Sequence, residues 1–401
     1  MTLIAVSFFL CSQLIHAQGG WTRKADIGTE MDGTVCFCIG TKCYTVTGHN
    51  NSFILAEFWE WDQATDTWIR KADFPGVARY FASGFSIGTK GYIGVGFDGT
   101  HSLTDFWEWD QATDSWTRKA DFPGIARHHA VGFSVNSKGY IGTGWDDLAL
   151  TELKDFWEWD PATDSWTRKS DFGGTARQGA ASFVIGNKAY VGTGEDQFSS
   201  YATYPSRQDL WEWDQATDTW TQKADLPGPG RYHAPAFAIG NSGYILLGKD
   251  KNGGPVFYTD FWKWDQLSNT WSSLPDPGIG QRWLAFACVI GTKAYVGCGR
   301  DSVSQMKKDL WEYQPALTTG VTTSEKESIS ISPNPNNGVF SISAPGMKYD
   351  QLEICDMSGN IIYRSNTSAD HTEVRLAQKG IYVLRIFHGG KLISREEIVV
   401  Q

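Results

Sequence analysis

Long apolar runs are missing from this chain of 401 residues. None reaches the ~18 residues that a membrane-spanning helix requires, so no membrane span is expected. Basic runs are missing too. Lys and Arg number 35 against 45 Asp and Glu, giving a net charge of −10 and an isoelectric point near 5.3. Nucleic acid and anionic membrane surfaces are therefore poor partners. Cysteine is sparse, at seven. Its number and spacing fit neither a disulfide scaffold nor a zinc site. No Gly-x-Ser-x-Gly elbow, phosphate-cradling loop or His-x-x-x-His pair occurs. No catalytic constellation, metal or cofactor is expected on these grounds.

Aromatic residues and repetition are abundant instead. The string Asp-Phe-Trp-Glu-Trp-Asp-Gln-Ala-Thr-Asp-Ser-Trp at 105–116 recurs six times with small changes. The copies begin at Glu57, Asp105, Asp155, Asp209, Asp260 and Asp309, so the period is near 50 residues. Such a period belongs to propellers and solenoids, where one supersecondary unit stacks on copies of itself. Within the second repeat, 85–96 reads as two short strands around a turn at Gly88-Thr89. Residues 105–110 alternate at strand period, and Gln111-Ala-Thr-Asp114 is a turn. Trp116-Thr-Arg-Lys-Ala120 is a fourth strand. Of 19 tryptophans, all but Trp145 and Trp283 fall at repeat positions, which predicts core rather than a sugar-stacking ladder.

The glycine pair after the second strand, the Trp109-Asp110 pair and Trp116 resemble the kelch repeat. The resemblance covers about Gln18 to Pro315. It departs from the family in having Trp before that Asp in five copies; only Trp311-Glu-Tyr313 keeps Tyr. The last repeat lacks a Trp-containing fourth strand, and Trp21-Thr-Arg-Lys-Ala-Asp26 has no strands before it. The expected fold is therefore all-β: a six-bladed kelch-like propeller whose N-terminal strand closes the last blade, which removes open sheet edges.

The remainder divides into three parts. Leu3 to Leu10 with Ile15-His-Ala17 reads as a signal peptide over 1–17, and Cys11 is not expected to carry lipid. After the propeller (18–316) a polar linker covers 317–328. Short alternating segments at 339–343, 351–355, 361–364, 374–376, 381–387 and 393–400 predict a small β-sandwich over 329–401. Ser332-Pro-Asn-Pro-Asn-Asn-Gly338, Asp356-Met-Ser-Gly359, Gly380-Ile-Tyr-Val-Leu384 and Ile398-Val-Val-Gln401 are similar to the type A C-terminal sorting domain of the type IX secretion system of Bacteroidetes. That resemblance implies handling by an outer-membrane translocon and a secreted or surface location. An exported chain permits disulfides. Cys38 and Cys43 flank a turn, and Cys36 and Cys288 sit in neighbouring blades. Free thiols are nonetheless the expectation for Cys36, Cys38, Cys43, Cys288 and Cys298.

Loops before the first strand and after the second share one propeller face. Arg79, Arg127, Arg177, Arg231 and Arg282 stand before the first strand of blades two to six, with Met31 in blade one. Asp98, Asp146, Asp196, Asp250 and Asp301 follow the second strand, with Asn50 in blade one. The arginines are candidate ligand-binding residues of a channel-mouth ring, since the Arg fork matches carboxylates. Resemblance adds that some kelch propellers read acidic peptides with arginines here. The preferred alternative is that each Arg pairs with a neighbouring Asp of the second ring. On the variable loops, Trp145, Phe198, Tyr201, Tyr204, Phe257 and Tyr258 are candidate recognition residues, or else caps on adjacent blades. His49, His101, His128, His129 and His233 map to the same face without ligand-pair spacing, and no Cys there matches the Cys–Tyr crosslinked copper site of galactose oxidase. The expected function is non-enzymatic binding of an extracellular protein or glycan. The alternative is an enzyme like the kelch-fold sialic-acid mutarotase/epimerase, acting on an anionic sugar.

Overall fold

The structure, a computed structural model, describes residues 19–196, 206–250, 255–316, 330–334, 336–343, 350–356, 360–366, 371–388 and 391–400. The expected signal segment and linker lie outside these residues. The chain divides into two compact units, Met1–Leu317 and Thr318–Gln401. Among the described residues all regular elements are strands, and no helix is long and apolar enough to cross a membrane.

The first unit is a six-bladed propeller. Each blade is a four-stranded antiparallel sheet, with strands Ser83–Ile87, Lys90–Gly94, Phe106–Asp110 and Ser115–Lys119 in the second. Gly88 turns its first hairpin at a φ of +59°, a region glycine enters at little cost. The sixth blade joins Phe286–Ile290, Lys293–Gly297 and Leu310–Gln314 to Gly20–Lys24, with Trp21 opposite Tyr313. Its inner strand packs on Val35–Ile39 of the first blade, so the ring is closed.

Strand alternation places large side chains on both faces of a blade, and both faces are covered by neighbours. Trp109 meets Tyr44 and Phe58 of the preceding blade at 4.8 Å each. Phe106 meets Trp159 of the next at 5.0 Å. The same Trp-on-Tyr contact crosses the closing seam, where Trp61 lies 4.7 Å from Tyr295. The tryptophan ladder is core: Trp61, Trp109, Trp159 and Trp264 are fully enclosed.

Polar groups of the repeat stitch the blades together. Asp114 occupies a left-handed turn position (φ +50°). Its carboxylate accepts the Trp109 indole N–H and the Ala72 backbone N–H of the preceding blade. Asp66 does the same for Trp61 and Ala25, again across the seam.

Two series, or belts, of backbone hydrogen bonds link successive blades around the channel. In the outer one Gly48, Gly96, Gly144, Gly194 and Gly248 donate to the carbonyls of Arg79, Arg127, Arg177, Arg231 and Arg282 at 2.7–3.0 Å. Gly299 donates to Met31 at 2.9 Å and completes the ring. In the inner one Phe81 donates to Gly33, His129 to Phe81, Gly179 to His129, His233 to Gly179 and Leu284 to His233.

The second unit is a β-sandwich. One sheet orders Ser330–Ser332, Val339–Ser343 and His371–Arg375; the other orders Ile361–Ser365, Gln351–Asp356, Gly380–His388 and Lys391–Val400. The strand expected at 374–376 begins earlier, at His371, because Ser343 pairs with it. Phe340, Ile354, Leu384 and Ile398 lie in one buried core. Asn334 accepts the Val399 N–H, and Asn336 donates its N–H to the Val399 carbonyl, tying the Pro-Asn segment to the last strand.

Candidate functional site

The arginine ring does not face the channel mouth as an open anion site. Arg79, Arg127, Arg177 and Arg231 are 0% exposed and Arg282 is 2% exposed. Each forms a forked pair with the Asp that opens the repeated string of its own blade. Arg127 Nη1 and Nη2 reach the two oxygens of Asp155 at 2.8 Å each. Its Nη1 also donates to the Thr143 carbonyl and its Nε to the Ile125 carbonyl. Asp105, Asp209, Asp260 and Asp309 hold Arg79, Arg177, Arg231 and Arg282 in the same way. The forks are spent on these aspartates and the side chains are enclosed, so these five residues have no surface to offer a ligand. Met31 replaces Arg in blade one, and Glu57 there accepts instead from Thr29, Trp59 and Arg70.

The second ring does not pair with the first either. Asn50, Asp98, Asp146 and Asp301 cap their own turns, accepting backbone N–H groups two or three residues on. Such Asx turns are a local device for these short side chains. Asp196 pairs with Arg207, and Asp250 accepts from the Ser206 hydroxyl.

Burial acts on the Arg-paired carboxyls in one direction and pairing in the other. Burial alone would raise the Asp155 carboxyl; the Arg127 hydrogen bonds override it and hold it below the usual carboxylate range. Asp105, Asp209, Asp260 and Asp309 move the same way for the same reasons.

The residues that do line the mouth come from a dipeptide between the fixed Arg and a small residue. The six versions are Met31-Asp-Gly-Thr34, Arg79-Tyr-Phe-Ala82, Arg127-His-His-Ala130, Arg177-Gln-Gly-Ala180, Arg231-Tyr-His-Ala234 and Arg282-Trp-Leu-Ala285. The second variable residue sits on the inner belt in every blade: Gly33, Phe81, His129, Gly179, His233 and Leu284. All six have φ between +53° and +60°. A left-handed conformation costs a residue with a side chain roughly 1–2 kcal/mol. Blades one and four use glycine, whereas the other four keep a side chain there.

These side chains floor a cavity of about 200 Å³, walled by the small residues that follow them. Phe81 stacks on His129 at 3.7 Å between ring centroids, and His129 on His233 at 4.6 Å. Gly179 leaves room for that pile, since a Cβ there would meet the His233 ring at 2.6 Å. The first variable residue forms the rim. Tyr80 pairs with Phe97, His128 with Trp145, Tyr232 with Lys249 and Trp283 with Arg300, each by an isolated β-bridge. Trp283 stacks near His233 at 5.6 Å, and the Lys249 ammonium lies 2.9 Å from its ring centroid. His128 lies 3.1 Å from Asp147, and burial lowers its pKa against that carboxylate's pull.

Three of the variable-loop candidates can be placed. Trp145 is half-buried on a small hairpin beside His128, at the rim. Phe257 is half-buried on the strand opposite Lys249. Tyr258 is a cap: its ring covers the Arg231 guanidinium at 4.6 Å, as Phe74, Phe122 and Phe172 cover theirs. Phe198, Tyr201 and Tyr204 lie outside the described residues. Of the histidines, His129 and His233 meet at the cavity floor, while His49 stands against Tyr80 and Asp32. The thiol expectation fails at Cys38 and Cys43, which form a disulfide. Hairpin pairing sets them directly opposite one another.

Residues 330–401 match the secretion system C-terminal sorting domain. This tail marks proteins handled by the type IX machinery, and the protein is secreted or displayed at the outer cell surface. No curated protein matches the chain. A solved structure described as "Structure of YjhT" is similar at 15% identity and a TM-score of 0.64, covering 74% of this chain and 98% of that one. That likeness shows the fold alone.

Proposed function

We propose that this exported propeller is a non-enzymatic, kelch-like binding module that takes an extracellular protein or glycan at the channel mouth. The composition of the cavity favours a sugar ring. The Phe81, His129 and His233 pile gives the cavity ring surface for the C–H face of a pyranose, and its imidazoles and the Tyr80 rim supply polar contacts. The observation that carries the reading is the inner belt. Four blades put Phe, His, His and Leu into the cavity where the other two have glycine, so this position changes inside a frame that is otherwise fixed. Everything else that repeats is consumed by the architecture. Glycan-array screening of the purified protein tests the reading; specific binding to a family of related sugars is expected, and a blank array overturns the sugar assignment.

The mutarotase-like reading loses its first motive, because the arginines that suited an anionic sugar are closed off. It retains the His129–His233 pair at the cavity floor, imidazole being the side chain most often used as a general acid or base. An anomerisation assay on the sugars that bind decides between the two. Catalysed interconversion supports the enzyme, and binding without it supports the module.

A further inference from the structure

Four sulfurs gather at the seam between the first and sixth blades, away from the mouth cavity's lining. Cys38 and Cys43 are bonded across the first hairpin. Cys288, on the inner strand Phe286–Ile290 of the sixth blade, brings its Sγ to 3.2 Å from Cys43 Sγ without a bond. The Sγ atoms of Cys38, Cys43 and Cys288 all lie within 4.8 Å of one another. Cys36 packs in the same cluster as Cys43 and Cys288.

We propose that this seam is a disulfide-exchange site, in which Cys288 takes Cys43 from Cys38 and staples the sixth blade to the first. The Cys288 thiolate attacks Cys43 Sγ. The Cys38–Cys43 bond breaks as the Cys43–Cys288 bond forms, and Cys38 leaves as a thiolate that takes up the proton Cys288 gave up. One disulfide and one thiol enter and leave, so no oxidant is consumed. Cys288 is the attacking sulfur by position. Burial pushes the Cys36 thiol well up, which suppresses its thiolate.

The two links differ in what they constrain. The hairpin disulfide joins residues five apart that β-pairing already holds together. The staple joins residues 245 apart. Cross-links that close long loops restrict the unfolded chain far more than those that close short ones. The staple also ties blade one to the three strands of blade six that hold Gly20–Lys24 only by non-covalent pairing. Delivery outside the cell supplies surroundings in which such a bond persists.

Non-reducing denaturing gels and peptide mapping after acid trapping test this on the full protein. Wild type equilibrated at pH 8 with a trace of dithiothreitol should show a faster band, because a long cross-linked loop compacts the denatured chain. That band should contain the Cys43–Cys288 peptide pair, and Cys288→Ser should remove it. The Cys38→Ser protein, oxidised while folded by glutathione disulfide, should carry the Cys43–Cys288 link in most molecules. Absence of the faster band from wild type, or alkylatable Cys43 and Cys288 in oxidised Cys38→Ser, overturns the proposal.

Discussion

Replacing Arg127 by Met should destabilise the propeller by about 3–5 kcal/mol, the range for removing one partner of a buried ion pair. Arg127 is fully enclosed and gives two bonds to Asp155 and one each to the Thr143 and Ile125 carbonyls. Without it the Asp155 carboxylate, 17% exposed, keeps the Trp157 indole N–H as its side-chain donor. The destabilisation is the stranded charge rather than the lost volume, since Met31 fills the same place in blade one. There Glu57 has three other donors, which Asp155 lacks. Arg127→Met combined with Asp155→Leu should therefore recover most of the loss. Urea unfolding of wild type, single and double variants measures the three stabilities. A single-variant loss under about 1 kcal/mol would refute the pairing argument. A double variant as unstable as the single would assign the loss to packing instead.

Further outcomes follow from the same contacts. The five Arg-paired aspartates have lowered pKa values, so the unfolded chain binds more protons than the folded one. Their stabilisation is present above about pH 4 and is lost as pH falls through the folded values; circular dichroism on acidification should show it, with a shallower slope in the Arg127→Met/Asp155→Leu protein. Deleting 18–26 removes the strand that pairs with Leu310–Gln314 and should abolish cooperative thermal unfolding of the propeller; an unchanged transition would deny the closure. Ending the chain after Glu327 removes the matched sorting domain and should leave the protein inside the producing cell, as fractionation of cells and medium would report. Normal secretion of the truncated protein would count against that role of the tail.

The blades were legible because their signal is repeated and local. Six copies of one string gave the period, and the orphan strand at Trp21 gave the closure, which the Gly20–Lys24 pairing matches. The partner of each arginine was not legible. Arg127 and Asp155 are 28 residues apart, and the acids after the second strand stood out as the expected mates instead. Only the fold turns the string's opening Asp inward and makes the later Asp a turn cap. The cavity itself left a trace that variable loop length obscured. Arg-x-x-Ala, with a fixed frame and two changing residues, marks the mouth more directly than the long loops do. The Cys38–Cys43 pairing depended on hairpin register, which the flanking turn at Gly40-Thr41 only suggested.

The triple variant Phe81→Gly, His129→Gly, His233→Gly tests most directly the claim that the fixed residues build and the changing ones recognise. Gly33 and Gly179 already occupy equivalent belt positions, so the account predicts a folded ring and loss of the wild-type glycan-array signal. A folded triple variant that still binds the same sugars would contradict it.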